Sequence, residues 1–517
     1  MKSLFSEFIF FWNRFWTPRR IVGLSVLVAV FWMAIFFVFN VNIYRDVANC
    51  YAWYAREYGR GNWCSSAISG LPPLLIFLGG WLCRFGMEAF HAVILVSAVF
   101  YILTVFPLFG LLRMLVPERT VAWGCLLFVL TPKIIRFAGS GILESGRDFF
   151  LVSAVFFLFC AWRKNFPLWK YFAFGASLGG LTLARGEGIL MAGLLCLCFL
   201  IRPWKEYFPL RSGWKNIFFP FVVIVATMLA MISPRLVETY RLTGYPVHDA
   251  RCVGMLRKVP GVNKIFHAKE VHYEKRAVEL PGNKSDADAT GPKYTVHGNI
   301  LALLPGMSRG GYEIYLVFSA IGMLSLILRR RWSKELTFLM FFSLVAAFSF
   351  VFVVVAYRYF IFLVPLWMVF TLTGIDEIRM ILSRFGLENV FLMILGVIVF
   401  VQPWNAVTFL QEPQGFRAQR MASYIRQNRA SFLPVGRNKI VMHHCYGSEV
   451  VFYCDEDRLS HYGEKIPPLP RTGGFDLLVI NAEEKTFCNE ILKRKDLEQV
   501  EHPYQNDYLL FRPKREK

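Results

Sequence analysis

The sequence predicts an all-α, polytopic membrane protein with a small α/β domain at its carboxyl end. Three observations carry that prediction. Of the 517 residues 56% are hydrophobic, only 18% are charged, and long apolar runs recur down to about residue 405. A soluble protein carries about 25% charged residues, and a bilayer span takes roughly 20 apolar residues. The formal net charge of +21 is not the footprint of a nucleic-acid binder. The basic residues sit in short clusters between apolar runs, where Lys and Arg mark cytoplasmic loops.

Windows of bilayer length place eleven spans near 21–39, 88–112, 120–135, 147–162, 171–184, 187–201, 216–234, 312–328, 335–355, 358–375 and 386–405. The first run, Ile21 to Phe39, follows Arg14, Arg19 and Arg20. A cleavable signal has an apolar core of about 7–15 residues and then a small-residue site. This run is longer and ends FFVFN, so it reads as an uncleaved span. With the amino terminus inside, alternate loops collect Arg113 and Arg119; Arg163, Lys164 and Lys170; Arg202, Lys205, Arg211 and Lys215; Arg329, Arg330, Arg331 and Lys334; and Arg379 with Arg384. That alternation is what the positive-inside rule requires. It leaves the carboxyl terminus outside.

On the outer side lie loops 40–87 and 235–311 and the tail 406–517, so the chain divides into a membrane domain, 1–405, and an extracytoplasmic domain, 406–517. The loops read as short helices lying along the membrane surface. In the tail, KIVMHH, FDLLVINA and DYLLFRP read as strands, and GSEVVFYC and FCNEILKR as helices. Most of the eleven Cys lie in apolar segments, where a thiol behaves as a small hydrophobe. Cys445, Cys454 and Cys488 lie in the tail, where one disulfide stays open. His443 and His444 are adjacent on a strand and so face opposite ways. They do not share one metal ion readily.

Asp46 stands about half a dozen residues past the first span, where a lipid headgroup and a water-borne acceptor meet. A carboxylate there can take a proton from an acceptor hydroxyl, worth ~10²–10⁴ in rate. It can equally cap a surface helix. The loop continues through AREYGRGNW to the proline pair in GLPPLL. This pattern resembles the polyprenyl-phosphate-sugar-dependent glycosyltransferases of the C-type membrane superfamily. Within it the sequence is similar to the bacterial lipid A aminoarabinose transferases, the protein O-mannosyltransferases and the glycosyltransferases of rhizobial lipopolysaccharide cores. The resemblance implies that Asp46 is the catalytic base and that the donor is a sugar on a lipid phosphate. Two departures stand out: Val47 follows where many relatives have Glu, and Leu71 rather than Lys precedes Pro72 and Pro73.

Three further segments fit the resemblance. SGILESGRDFF carries Glu144, Arg147 and Asp148; LTLARGEGIL carries Arg185 and Glu187; AYRYFIFLVPLW carries Arg358, Tyr359 and Pro365. MISPRLVETYRLTGYPVHDAR adds Arg235, Tyr245 and Asp249. The resemblance gives Arg358 the donor phosphate. From the residues alone, ionisable groups are costly within spans and are placed for a reason, and under the derived orientation all of these fall at one face. Arg suits phosphate through its planar fork. For Arg185 with Glu187 the rival reading is an ion pair tying two helices together.

The expected reaction is transfer of a sugar from a polyprenyl phosphate to a glycolipid, glycan or protein acceptor. A phosphate leaves readily, so one carboxylate base suffices where glycoside cleavage usually takes two. The site must then supply positive charge, which the arginines do, so no metal is expected. Rival readings are an O-antigen ligase or polymerase, a lipid-linked sugar transporter or flippase, and a non-enzymatic assembly subunit. Compact loops and the lack of a targeting extension point to the bacterial inner membrane.

Overall fold

The computed structural model describes residues 17–40, 47–61, 72–162, 167–207, 213–243, 296–350, 357–411, 414–432, 440–445, 448–454, 457–458, 476–482, 491–493 and 497–514. Asp46, Tyr245, Asp249 and Cys488 lie outside them.

The amino-terminal helix α1, Pro18–Phe39, starts as sequence chemistry dictates. Thr17 accepts the Arg20 N–H at 3.4 Å and Pro18 opens the first turn. After a π-helical turn, Val47–Tyr51, the first long loop folds back on itself as α2, Ala52–Gly59, against α3, Pro73–Arg84. Their contact is made of small residues: a Cβ on Gly59 would lie 2.6 Å from Cys83 Cβ, and one on Gly80 2.4 Å from the Tyr58 ring. The helix α4, Ala89–Arg113, is capped by Glu88, whose carboxylate accepts from the N–H groups of Phe90 at 2.8 Å and His91 at 3.1 Å.

The bundle continues with α5, Glu118–Val129; α6, Pro132–Gly139; α7, Glu144–Ala161; α8, Leu168–Ala184; α9, Gly188–Tyr207; and α10, Gly213–Thr243. Then come α11, Val296–Gly310; α12, Glu313–Leu328; α13, Lys334–Ser349; a 3₁₀ turn, Tyr357–Phe360; α14, Leu363–Ser383; and α15, Glu388–Val401. Among the described residues, four helices are long and apolar enough to cross a membrane, or six if each of two bent pairs is one span. The apolar run at 120–135, expected as one straight span, is α5 and α6 bent by 51°, because Pro132 cannot continue the preceding hydrogen-bond ladder. The apolar residues left on the outside, such as Phe31, Phe39, Leu304, Leu328 and Phe400, form the kind of surface that lipid covers.

The helices α12 and α14 meet backbone to backbone. A Cβ on Gly322 would fall 2.0 Å from the Phe370 carbonyl oxygen and one on Gly374 1.9 Å from that of Phe318, while the Ser319 and Thr371 hydroxyls bond at 2.9 Å. Small residues and hydroxyl bridges are how helices associate where the surroundings are apolar.

Among the described residues, the tail holds a five-stranded sheet in the order β2-β1-β3-β5-β4, from β1, Val441–Cys445; β2, Asp457–Arg458; β3, Leu477–Asn481; β4, Leu497–Val500; and β5, Tyr508–Pro513. The strands β1, β2 and β3 run parallel and β5 antiparallel to its neighbours, with His443 opposite Leu478 and Ile480 opposite Leu509. A helix α16, Gln414–Gln427, packs Ala418, Met421, Ala422 and Ile425 into a core of its own with Val450, Val479 and Leu510. That i, i+3, i+4, i+7 stripe is a legible signal that the strand-and-helix reading of the tail passed over. The helix α17, Ser448–Cys454, buries Cys454, whose Sγ lies 3.8 Å from the Ala422 carbonyl oxygen.

Candidate functional site

One end of the bundle gathers the described candidate residues. The Asn40 side chain, just past α1, donates to the Gly139 carbonyl at 2.9 Å, and the Ser97 hydroxyl of α4 to that of Ile142 at 2.9 Å. These bonds fix the α6–α7 corner beside the start of the first long loop. The helix α7 opens directly after the corner, so its first turn presents Glu144, Arg147 and Asp148 there, and α8 returns to the same level at Arg185.

There the charges interlock. Arg185 Nε donates to Glu187 Oε1 at 3.1 Å, its Nη2 to the same oxygen at 2.7 Å, and its Nη1 to Glu144 Oε1 at 3.0 Å. Arg147 Nε donates to Asp148 Oδ1 at 3.0 Å, and Nη1 to the Tyr359 carbonyl at 2.9 Å. The Arg185 guanidinium lies 4.6 Å from the Tyr359 ring centre, whose other contacts include Phe350, stacked at 5.3 Å. All five charged residues are buried, from 1% exposed for Glu144 to 8% for Glu187. Glu144 Oε2 is buried and has no hydrogen-bond partner among the described residues.

Both guanidiniums in this network are gripped by carboxylates, and both touch Tyr359. The geometry is that of a frame around the 3₁₀ turn Tyr357–Phe360 rather than of cations held open for an anion. Arg358 is half-buried, and its guanidinium lies 5.3 Å from the Tyr359 ring centre. Pro365 is buried in the first turn of α14. Arg235, fully buried in α10, pairs with Glu238 at 3.0 Å within its own helix. Asp46 immediately precedes the turn at Val47, a residue buried at 0% exposure.

Two features escaped the sequence reading. Lys133, in the bend after α5, reaches Glu313 Oε2 at 3.4 Å and sits 5.5 Å from the Tyr312 ring centre, joining the two bent pairs. The signal was a lysine inside the apolar run TPKIIRF. The tail also docks on the first loop: Arg56 Nη1 donates to the Phe452 carbonyl at 3.2 Å, and its guanidinium covers the Phe452 ring at 4.1 Å.

No protein-family model and no curated protein sequence matches the chain. Solved structures do. ArnT from Cupriavidus metallidurans in the apo state superposes with a TM-score of 0.58 at 14% identity, over 95% of this chain and 97% of that one. The same protein bound to undecaprenyl phosphate gives 0.58 at 12% identity, over 95% and 97%. The archaeal oligosaccharyltransferase AglB from Archaeoglobus fulgidus, in complex with an inhibitory peptide and a dolichol-phosphate, gives 0.54 at 12% identity, over 92% of this chain and 70% of its own. Over nearly its whole length, the chain shares the fold of these solved structures.

Proposed function

We propose that this protein is a membrane glycosyltransferase that moves a sugar from a polyprenyl phosphate to an acceptor outside the cytoplasm, with inversion at the anomeric carbon. The observation that carries the reading is the buried frame of Glu144, Arg147, Asp148, Arg185 and Glu187 around the Tyr359 turn. A fold spends that many buried charges on a turn when the turn must hold a functional group in place, and the group it holds is Arg358. The likeness in fold to a protein solved with undecaprenyl phosphate supports a lipid-phosphate donor.

In this reading Asp46 takes the proton of the acceptor hydroxyl, the freed oxygen bonds to the anomeric carbon, and the bond from that carbon to the phosphate oxygen breaks. The leaving lipid phosphate gains charge, which Arg358 receives. Tyr359 and the frame are positioning residues. The positive charge comes from the arginine, so the reaction asks for no metal. Eleven spans, an internal amino terminus, a separate domain at 406–517 outside the membrane and a bacterial inner-membrane setting complete the proposal.

The test is to incubate purified protein with a panel of polyprenyl-phosphate sugars and follow free lipid phosphate. At least one donor should be turned over, and Asp46→Asn should lose ~10²-fold or more. A variant as fast as the wild type removes Asp46 as the base, and silence across the panel removes the transferase.

A further inference from the structure

Four helices of the bundle end on the same turn, closed by an N–H that bonds back five residues. Met87 donates to the Leu82 carbonyl at 3.2 Å, Ile142 to Phe137 at 3.3 Å, Leu387 to Leu382 at 3.0 Å and Arg331 to Leu326 at 2.9 Å. The residue before each donor takes a left-handed backbone. Three times it is glycine: Gly86, Gly141 and Gly386, with φ of 89°, 72° and 70°. After α12 it is Arg330, with φ of 56°. Glycine adopts this conformation without a steric clash, whereas a residue with a Cβ is strained there.

Arg330 stands in a cluster of open charge. It is exposed, as are Arg331, Lys334 and, just past α14, Arg384. The helices α12 and α14 run parallel in one register, with a hydrogen bond between Ser319 and Thr371 and another from Ser325 to Glu377, each across an offset of 52 residues. That register sets Arg384 level with the Arg330 corner. The neighbouring acids are engaged elsewhere, Glu377 with Arg329, and Asp376 and Glu388 with Arg379. None of the four exposed cations forms an ion pair among the described residues. Glu335, in the first turn of α13, still leaves the corner net positive. Apolar surface adjoins the charge: Leu328 at the end of α12 and Phe385 just past α14 are each 72% exposed, and Leu324, Ile327 and Ile381 are exposed behind them.

We propose that this corner binds the headgroup of an anionic phospholipid, whose acyl chains lie along the exposed side chains of α12 and α14. Guanidinium forks match phosphate oxygens two at a time, and the apolar row beside them suits an amphiphile better than a free anion. A charge that serves only to orient a span works at any position in its loop. It gives no reason to keep an arginine on a left-handed turn that three sister turns make with glycine. Placement agrees. The 21 residues of α14 cover about 30 Å from the Tyr359 turn to this corner, the thickness of a bilayer core. The lipid site therefore lies in the leaflet opposite the frame. The sequence reading sets that end in the cytoplasm, where anionic lipid attracts basic segments.

The experiment releases the full chain from detergent micelles and counts bound lipid by native mass spectrometry, titrating dioleoyl phosphatidylglycerol against dioleoyl phosphatidylcholine. Phosphatidylglycerol should bind at least about tenfold tighter, each basic residue contributing about fivefold. The double variant Arg330→Gly, Arg331→Gln should lose at least about tenfold of that affinity. Its thermal unfolding should hold or rise, because glycine relieves the turn. Should the double variant fold poorly, Lys334→Gln and Arg384→Gln carry the test, each expected to weaken binding by about threefold to fivefold. Arg426→Gln, exposed in the tail, should change nothing. Equal binding of the two lipids, full displacement by glycerol 3-phosphate, corner variants that bind as the wild type does, or an equal loss in Arg426→Gln would each overturn the proposal.

Discussion

Replacing Arg185 by Ala tests whether the buried charges form a frame. The substitution strands two carboxylates: Glu187, which loses three bonds of 2.7–3.2 Å, and Glu144, which loses one of 3.0 Å and already has an oxygen unsatisfied among the described residues. Breaking a buried ion pair from one side costs about 3–5 kcal/mol, and a desolvated guanidinium on an aromatic ring adds about 2 kcal/mol. The unfolding free energy, followed by tryptophan fluorescence in mixed micelles, should therefore fall by at least about 3 kcal/mol. The triple variant Glu144→Gln, Arg185→Met, Glu187→Leu removes the stranded charges together. It should regain stability, since apolar replacement of a buried ionic cluster is often neutral or better, yet turn over lipid-linked donor poorly because the Tyr359 ring has lost its guanidinium. An Arg185→Ala loss below about 1 kcal/mol, in the range of an exposed pair, or a triple variant with full activity, would refute the frame.

Gly322→Leu should unfold or misassemble the protein, since its first side-chain atom would lie 2.0 Å from the Phe370 carbonyl oxygen; the check is yield of monodisperse protein, with overpacking worth at least about 1–3 kcal/mol. In the tail, burial pushes the His502 imidazole below its ordinary 6.5. The folded tail therefore prefers the neutral ring, and its stability should decline as pH drops below about 6.5. His502→Phe should remove that decline, as read by near-ultraviolet circular dichroism.

Fold class was legible because span-length apolar runs have few soluble alternatives. The gathering of Glu144, Arg147, Asp148, Arg185, Glu187, Arg358 and Tyr359 at one end was legible too, since loop charge orders the ends of successive spans. What stayed hidden depends on pairing rather than composition. Nothing in the spacing says that Arg147 spends a donor on the Tyr359 carbonyl, 212 residues away, or that Arg185 is held by acids from two segments. The bend at Pro132 and the bridge from Lys133 to Glu313 needed the neighbouring helices to be seen. The helix at Gln414–Gln427 was a plain miss of an apolar period.

The Gly322–Gly374 crossing bears on how the molecule can move. With carbonyls of one helix seated where side chains of the other would stand, α12 and α14 have no cushion of rotamers between them and travel as a single beam. The Tyr357–Phe360 turn leads into one end of that beam. A displacement of that turn is therefore passed on to both helices at once instead of being absorbed between them.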